Sequence, residues 1–258
     1  MIDSHCHLDF SAFDEDRLQV IEACGKANIQ RIIIPGVSAS QWPALISLCQ
    51  SQSMLEFALG IHPYFIEMAE DEHLVQLQQL LCKHQDDVVA VGEIGLDFHL
   101  ADNGLHQKQQ HFFDCQLSVA SEFKLPVILH QRQSHNEIIR MLKGHQFAYG
   151  GVLHAFSGSY QQAKTYVDMG FKLGIGGTIT YPRGSKTRDV VKRLSLQHIV
   201  LETDAPDMPL HGRQGQRNSP LNLPEIAQQI ALITNTSIQQ VAAITDNNVA
   251  SLFGLTMN

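Results

Sequence analysis

Short, mostly apolar runs recur along the chain, separated by longer stretches whose apolar side chains return every three or four positions. The runs are Ile32-Ile33-Ile34, Leu55–Leu59, 88–91, Val127-Ile128-Leu129, Val152-Leu153, Phe171–Ile175 and Ile199-Val200-Leu201, and a weak opening run at Met1-Ile2 makes eight. Runs of this length that are apolar rather than alternating are what parallel strands covered on both faces require. Between them lie helical patterns. Residues 14–27 open with acids and space Leu18, Ile21 and Cys24 three apart, and residues 107–123 put Phe113, Leu117, Ala120 and Phe123 on one stripe. Pro126 stops that second helix before the next strand. After the eighth run, residues 222–233 and Ile238–Phe253 are expected to be two helices that close the fold, with the break near Asn235-Thr236. Eight strand–helix alternations predict an α/β protein, a single (β/α)8 TIM barrel spanning residues 1–258, in preference to an open doubly wound sheet. No Gly-x-Gly-x-x-Gly follows the first strand and no phosphate-binding Gly-x-x-x-x-Gly-Lys-Ser/Thr occurs, so dinucleotide and P-loop readings lose their main support.

Composition narrows this picture. The 258 residues suit one barrel of about 250 with little to spare. A net charge of −8 argues against a broad basic face for duplex DNA. The five cysteines, Cys6, Cys24, Cys49, Cys82 and Cys115, form no Cys-x-x-Cys pair and fit reduced thiols. The opening Met-Ile-Asp-Ser-His has neither the basic nor the apolar segment of a secretory leader. The longest uncharged stretch, 32–55, is interrupted by Pro35, Gly36 and Pro43 and cannot span a membrane. A cytoplasmic location is expected, with no membrane association and no obligate protein partner evident.

The candidate chemistry sits at the ends of the predicted strands. His5 and His7 follow the first, two apart, so that in extended backbone both imidazoles point one way. Glu93 comes two residues after Val91, His130 directly after Leu129, His154 directly after Leu153, and Asp204 closes the eighth strand. Singly, each has an ordinary role as a hydrogen-bonded histidine, a helix cap or a solvated acid. Jointly, six metal-competent side chains follow five strands at the C-terminal rim, where barrel active sites form. Four imidazoles and two carboxylates exceed what one tetrahedral ion uses, so two divalent ions are expected. His5, His7 and Asp204 would hold one and His130 and His154 the other, with Glu93 as the bridge. A water between them would be the nucleophile and Asp204 its general base. Imidazoles favour Zn²⁺, whereas a carboxylate bridge and phosphate chemistry also admit Mn²⁺ or Mg²⁺.

The strings Asp3-Ser4-His5-Cys6-His7, Gly60-Ile61-His62-Pro63, Gly92-Glu93-Ile94-Gly95-Leu96-Asp97, Pro126-Val127-Ile128-Leu129-His130, His154-Ala155-Phe156-Ser157-Gly158 and Glu202-Thr203-Asp204-Ala205-Pro206 resemble the TatD-type metal-dependent deoxyribonucleases, a branch of the amidohydrolase-like barrels. They run in order over nearly the whole chain. Glu202 to Leu210 is most similar to the bacterial YjjV-like branch of that family. The resemblance implies a TIM barrel, two divalent ions on the same six residues, and hydrolysis of DNA phosphodiesters, often from 3′ ends of single strands. Glu93 stands where other amidohydrolases carry a carboxylated lysine.

Around this cluster, Arg132 is expected to bind a substrate phosphate, since a guanidinium matches its geometry. His62 is expected to reach the substrate or to orient a ligand, and Glu202 to pair with a metal-held imidazole. Tyr181 to Arg188 gathers three cations after the seventh strand, where barrel loops often hold phosphate. Phe156 or Tyr181 could stack on a base, with Tyr64 and Phe65 in a similar position. The substrate is thus expected to be DNA or a small phosphate ester. The same metal pair would also serve an amide, lactone or aminoacyl ester, and a non-enzymatic barrel would have little reason to gather six such residues on one rim.

Overall fold

The computed structural model describes residues 1–101 and 104–256. Its strands are β1 (Ile2–Asp3), β2 (Arg31–Pro35), β3 (Leu55–Leu59), β4 (Val88–Asp97), β5 (Val127–Arg132), β6 (Gly151–Leu153), β7 (Phe171–Ile175) and β8 (Ile199–Leu201). They pair in parallel in the order β1 to β8. The helices are α1 (Arg17–Lys26), α2 (Trp42–Ser51), α3 (Asp71–Lys83), α4 (Leu105–Phe123), α5 (His135–Gly144), α6 (Tyr160–Asp168), α7 (Ser185–Arg193), α8 (Leu223–Thr234) and α9 (Ile238–Phe253). This is a (β/α)8 TIM barrel; the apolar runs named above fall in its strands, the opening one in part, since β1 begins at Ile2.

The seam between β8 and β1 is closed by hydrogen bonds beyond the strand ends. Ser4 N–H donates to the Leu201 carbonyl at 2.9 Å, and Asp204 N–H donates to the His5 carbonyl at 2.9 Å. Asp3 accepts from the Thr203 amide at 3.0 Å and from the Thr203 hydroxyl at 2.6 Å. Complete burial pushes the Asp3 carboxyl up to about 8, against the opposing effect of these donors.

Two apolar layers follow from strand alternation. Ile33, Ala58, Ala90, Ile128, Val152 and Val200 form a buried cluster inside the barrel, which Val249 and Phe253 of α9 plug from below. Their strand neighbours Ile32, Ile34, Phe57, Leu59, Val127, Leu129, Ile199 and Leu201 belong instead to the larger core shared with the helices. Counting two residues on from the inner cluster leads to His130, His154 and Glu202. The candidate site is therefore the next inward layer, above the apolar one.

β4 is the exception to simple alternation. It continues to Asp97, well beyond the expected end at Val91. Val91 and Ile94 oppose Val127 and Leu129, so β4 carries one extra residue against β5, a bulge. Both Val91 and Ile94 lie in the outer core. The inserted residue thus lets Glu93 face the barrel axis although it lies two positions after an outward-facing valine. Gly95 pairs with His130 with φ +142°, and a Cβ there would lie 2.1 Å from the His130 carbonyl oxygen. Only glycine permits this approach.

Candidate metal centre

Glu93 is at the middle of the rim, almost wholly buried. Its two carboxylate oxygens face different histidines. Oε2 is 3.1 Å from His5 Nε2 and 3.6 Å from His7 Nε2. Oε1 is 3.1 Å from His130 Nδ1, 3.2 Å from His154 Nε2 and 3.3 Å from His62 Nε2. Asp204 joins the first group, with Oδ1 at 3.6 Å from His5 Nε2 and 3.7 Å from His7 Nε2. The six residues selected from the strand tips are thus brought together, in two sets that meet at one carboxylate.

His5 and His7 reach this position past the end of β1 rather than within it. Their Nε2 atoms come within 3.2 Å of each other, while both Nδ1 atoms are buried without a hydrogen-bond partner. Buried imidazole nitrogens converging on carboxylate oxygens are the donor set that a divalent cation satisfies. The residues present fit such ions on both sides of Glu93.

The electrostatics express the same crowding. Burial alone would raise the Glu93 carboxyl, but the charges of His154, His62 and His5 and the His130 hydrogen bond outweigh it and hold it well below the usual range. For His154, burial is overcome by Glu93, Asp204 and Glu202, which push it up to about 10. His7 goes the other way, lowered by burial and then by His5. Asp204 is pushed up to about 6 by burial, against His154 and His5.

Other expected residues are placed less simply. His62, read as a substrate or orienting group, contacts the same Glu93 oxygen as His130 and His154 and so adjoins the second set directly. Glu202 is buried beneath the site, where Gly174 makes room for it: a Cβ at Gly174 would lie 2.0 Å from Glu202 Oε2. Glu202 accepts the Ala155 amide at 2.6 Å and stands 3.7 Å from His154 Nδ1, too far for a hydrogen bond. It anchors the backbone after His154 more directly than the ring. Arg132 is half-exposed and lies 4.0 Å from Asp97 Oδ2, outside the wall of the central cavity. Phe156 is buried and does not line that cavity, whereas Tyr64 and Phe65 do.

Asp97 was not singled out from the sequence. It is buried at the end of β4 and meets His130 Nε2 at 3.2 Å, on the ring edge opposite Glu93. Its position was legible: Glu93, Gly95 and Asp97 alternate along one strand face once the strand is carried past Val91. Phe10, whose ring stacks on His7 at 4.6 Å, and Asp207 also line the cavity of about 440 Å³ above the cluster.

A parallel eight-stranded barrel with imidazoles and carboxylates converging on its C-terminal rim belongs to the metal-dependent hydrolase class. The chain is a member of the TatD related DNase family, whose model matches residues 2–254. It is 42% identical over 254 residues to the metal-dependent hydrolase YjjV of Escherichia coli (strain K12), covering 98% of each chain. The crystal structure of that protein matches this fold with a TM-score of 0.95 over 99% of this chain and 98% of the other. The 3′-5′ ssDNA/RNA exonuclease TatD of Pantoea sp. (strain At-9b) is 31% identical over 268 residues, covering 99% of this chain and 100% of that one. The barrel alone is shared with the Escherichia coli phosphotriesterase homology protein, at 13% identity and a TM-score of 0.68, covering 98% of each. The protein is accordingly a metal-dependent hydrolase acting on ester bonds. Among the described residues, no helix is long and apolar enough to cross a membrane.

Proposed function

We propose that the protein hydrolyses phosphodiester bonds at the 3′ ends of single-stranded nucleic acid, DNA in the first instance, at a site whose residues would hold two divalent ions on either side of Glu93. The observation that carries this reading is the division of the rim histidines between the two Glu93 oxygens. His5, His7 and Asp204 would hold one ion and His130 and His154 the other, with His62 beside the second. Such ions, when bound, supply Lewis acidity to a phosphoryl oxygen and lower the pKa of water.

The chain's own residues do the rest. Asp204 is the carboxylate best placed to take a proton from the attacking water, because its side chain is 13% exposed whereas that of Glu93 is 2% exposed. Arg132, half-exposed outside the cavity wall and 4.0 Å from Asp97 Oδ2, offers a guanidinium for a phosphate at the edge of the site. Tyr64 and Phe65 present apolar rings at the cavity wall, suited to an unpaired base. A net charge of −8 leaves little general attraction for duplex, which favours short contacts with a flexible end.

The test compares end-labelled single-stranded, duplex and closed circular DNA with small phosphomonoesters, each with and without chelator. Mononucleotides released from single-stranded 3′ ends, lost on chelation and restored by Mn²⁺ or Zn²⁺, are the expected result. Cleavage of the small esters alone would replace this reading with a small-ester phosphatase.

A further inference from the structure

A second cavity, of about 520 Å³, opens on the same rim between β7 and β8. Its wall includes Arg183, Lys186, Thr187, Tyr181, Thr178 and Ser157 and, among the described residues, no acidic side chain. In a chain of net charge −8 this local sign is unusual. Most arginines near the surface are spoken for: Arg17, Arg140, Arg193, Arg213 and Arg217 each meet a carboxylate. Arg188, the third cation of this loop, turns away and donates to the Ile179 carbonyl at 3.1 Å. Among the described residues, neither Arg183 nor Lys186 meets a carboxylate; the Arg183 guanidinium lies 5.1 Å from the centre of the Tyr181 ring.

The surrounding wall is built to take an anion rather than merely to carry charge. Tyr181 is fixed by its hydroxyl, which donates to the Pro209 carbonyl at 2.7 Å. The Thr178 hydroxyl oxygen is buried and, among the described residues, has no partner. α7 starts in this wall at Ser185, behind Gly184, without a side-chain cap, so its first amides add donors. Gly184 is required there, since a Cβ would lie 2.5 Å from the Thr178 carbonyl oxygen. The cavity also adjoins the metal centre through the chain. Met208 and Pro209 in its wall directly follow Asp207 in the wall of the other cavity, and Ser157 lies three residues after His154.

We infer that this cavity is a subsite for a backbone phosphate of the strand, next to the one being cleaved, held by Arg183 and Lys186. The inference rests on the reading of the metal centre as a nucleic-acid site. Its consequence is a preference for chains over substrates with a single phosphate.

The experiment measures kcat/KM for a single-stranded ten-nucleotide DNA and for a dinucleotide with one phosphate. It uses the metal-loaded wild type, Arg183→Gln/Lys186→Gln, and Lys143→Gln, an exposed cation at the far end of α5. The double variant should lower the ten-mer to dinucleotide ratio about tenfold, and Lys143→Gln should leave it alone. Binding of a fluorescent ten-mer should become less salt-dependent by a slope of about 0.7, for the one phosphate that the two cations neutralise. An unchanged ratio with an unchanged slope overturns the subsite, as does an equal loss on both substrates, which would place these cations on the reacting phosphate. Wild type that cleaves neither DNA sinks the nuclease reading, while the salt slope of binding still decides the cavity.

Discussion

Asp97 holds His130 from the side opposite Glu93 and stands beside Arg132. A ring whose Nε2 is engaged by a buried carboxylate presents Nδ1 in one orientation and with raised basicity, the arrangement commonly found behind metal-held imidazoles. Asp97→Asn should therefore weaken any ion held through His130 about 10- to 100-fold, with the fold retained. Competition against a graded chelator, read as metal content per chain, measures this without recourse to turnover. Wild-type affinity in the variant would leave Asp97 with no part in orienting His130. At this scale the sequence was informative about which side chains carry chemistry, because His, Glu and Asp after apolar runs are conspicuous. It named Glu202 and His62 as neighbours of the cluster but not the atoms they would meet. That His62 shares an oxygen with His130 and His154, and that Glu202 binds an amide more closely than a ring, depends on side-chain directions set by packing.

At the scale of elements, the strands were legible because each is an apolar run buried on both faces, and α9 was read with its observed bounds. The misses have local causes. α1 begins at Arg17, not at residue 14, because Asp14 is taken up by the Arg17 guanidinium and residues 11–13 form a short 3-10 turn. That same guanidinium also donates to the Leu8, Asp9 and Phe10 carbonyls, fixing the loop that follows His7. β4 outran its apolar run because Glu93, Gly95 and Asp97 face the site rather than the core. Its bulge is a property of pairing with β5, which one strand's sequence does not display. Gly95 tests this directly. Gly95→Ala would drive a methyl group into the His130 carbonyl and should cost about 1–3 kcal/mol. Metal retention should fall with it, because β5 can yield only by moving His130. Gly144→Ala, where nothing lies within 4 Å, is the control and should be close to neutral. Urea midpoints with unchanged slopes separate the two; equal midpoints would show that the β4–β5 approach is looser than described.

For the whole molecule, α9 is the piece that ties the barrel floor to its first strand. Asp246 accepts the Ile2 amide at 2.7 Å and lies 3.4 Å from the Met1 ammonium. Asn248 donates to the Leu196 and Ile199 carbonyls at 2.8 and 2.7 Å. Burial raises the Asp246 carboxyl above its ordinary 3.8, against the Met1 ammonium and the Ile2 amide. A raised carboxyl binds its proton more tightly in the folded chain than in the unfolded one. Its stabilising contribution is complete below the unfolded value and is lost as pH rises through the folded one. Asp246→Asn keeps an oxygen for the Ile2 amide but does not titrate. Its stability relative to wild type should increase as pH rises above about 4 in denaturant melts. A decrease as pH rises would mean that the pair with Met1 outweighs burial.

The seam between β8 and β1 has a further consequence, for the order in which the protein comes into being. Asp3 and Thr203 are 200 positions apart, whereas every other neighbouring pair of strands is consecutive in the chain. A chain leaving the ribosome can lay down β1 to β7 as an open curl, but His5 and His7 wait at one edge for Asp204 to arrive at the other. The ion pocket beside Glu93 is completed only by that last meeting. A metal that uses this pocket would therefore be captured late in the life of each molecule, and a chain halted before its eighth strand would be released with the pocket incomplete.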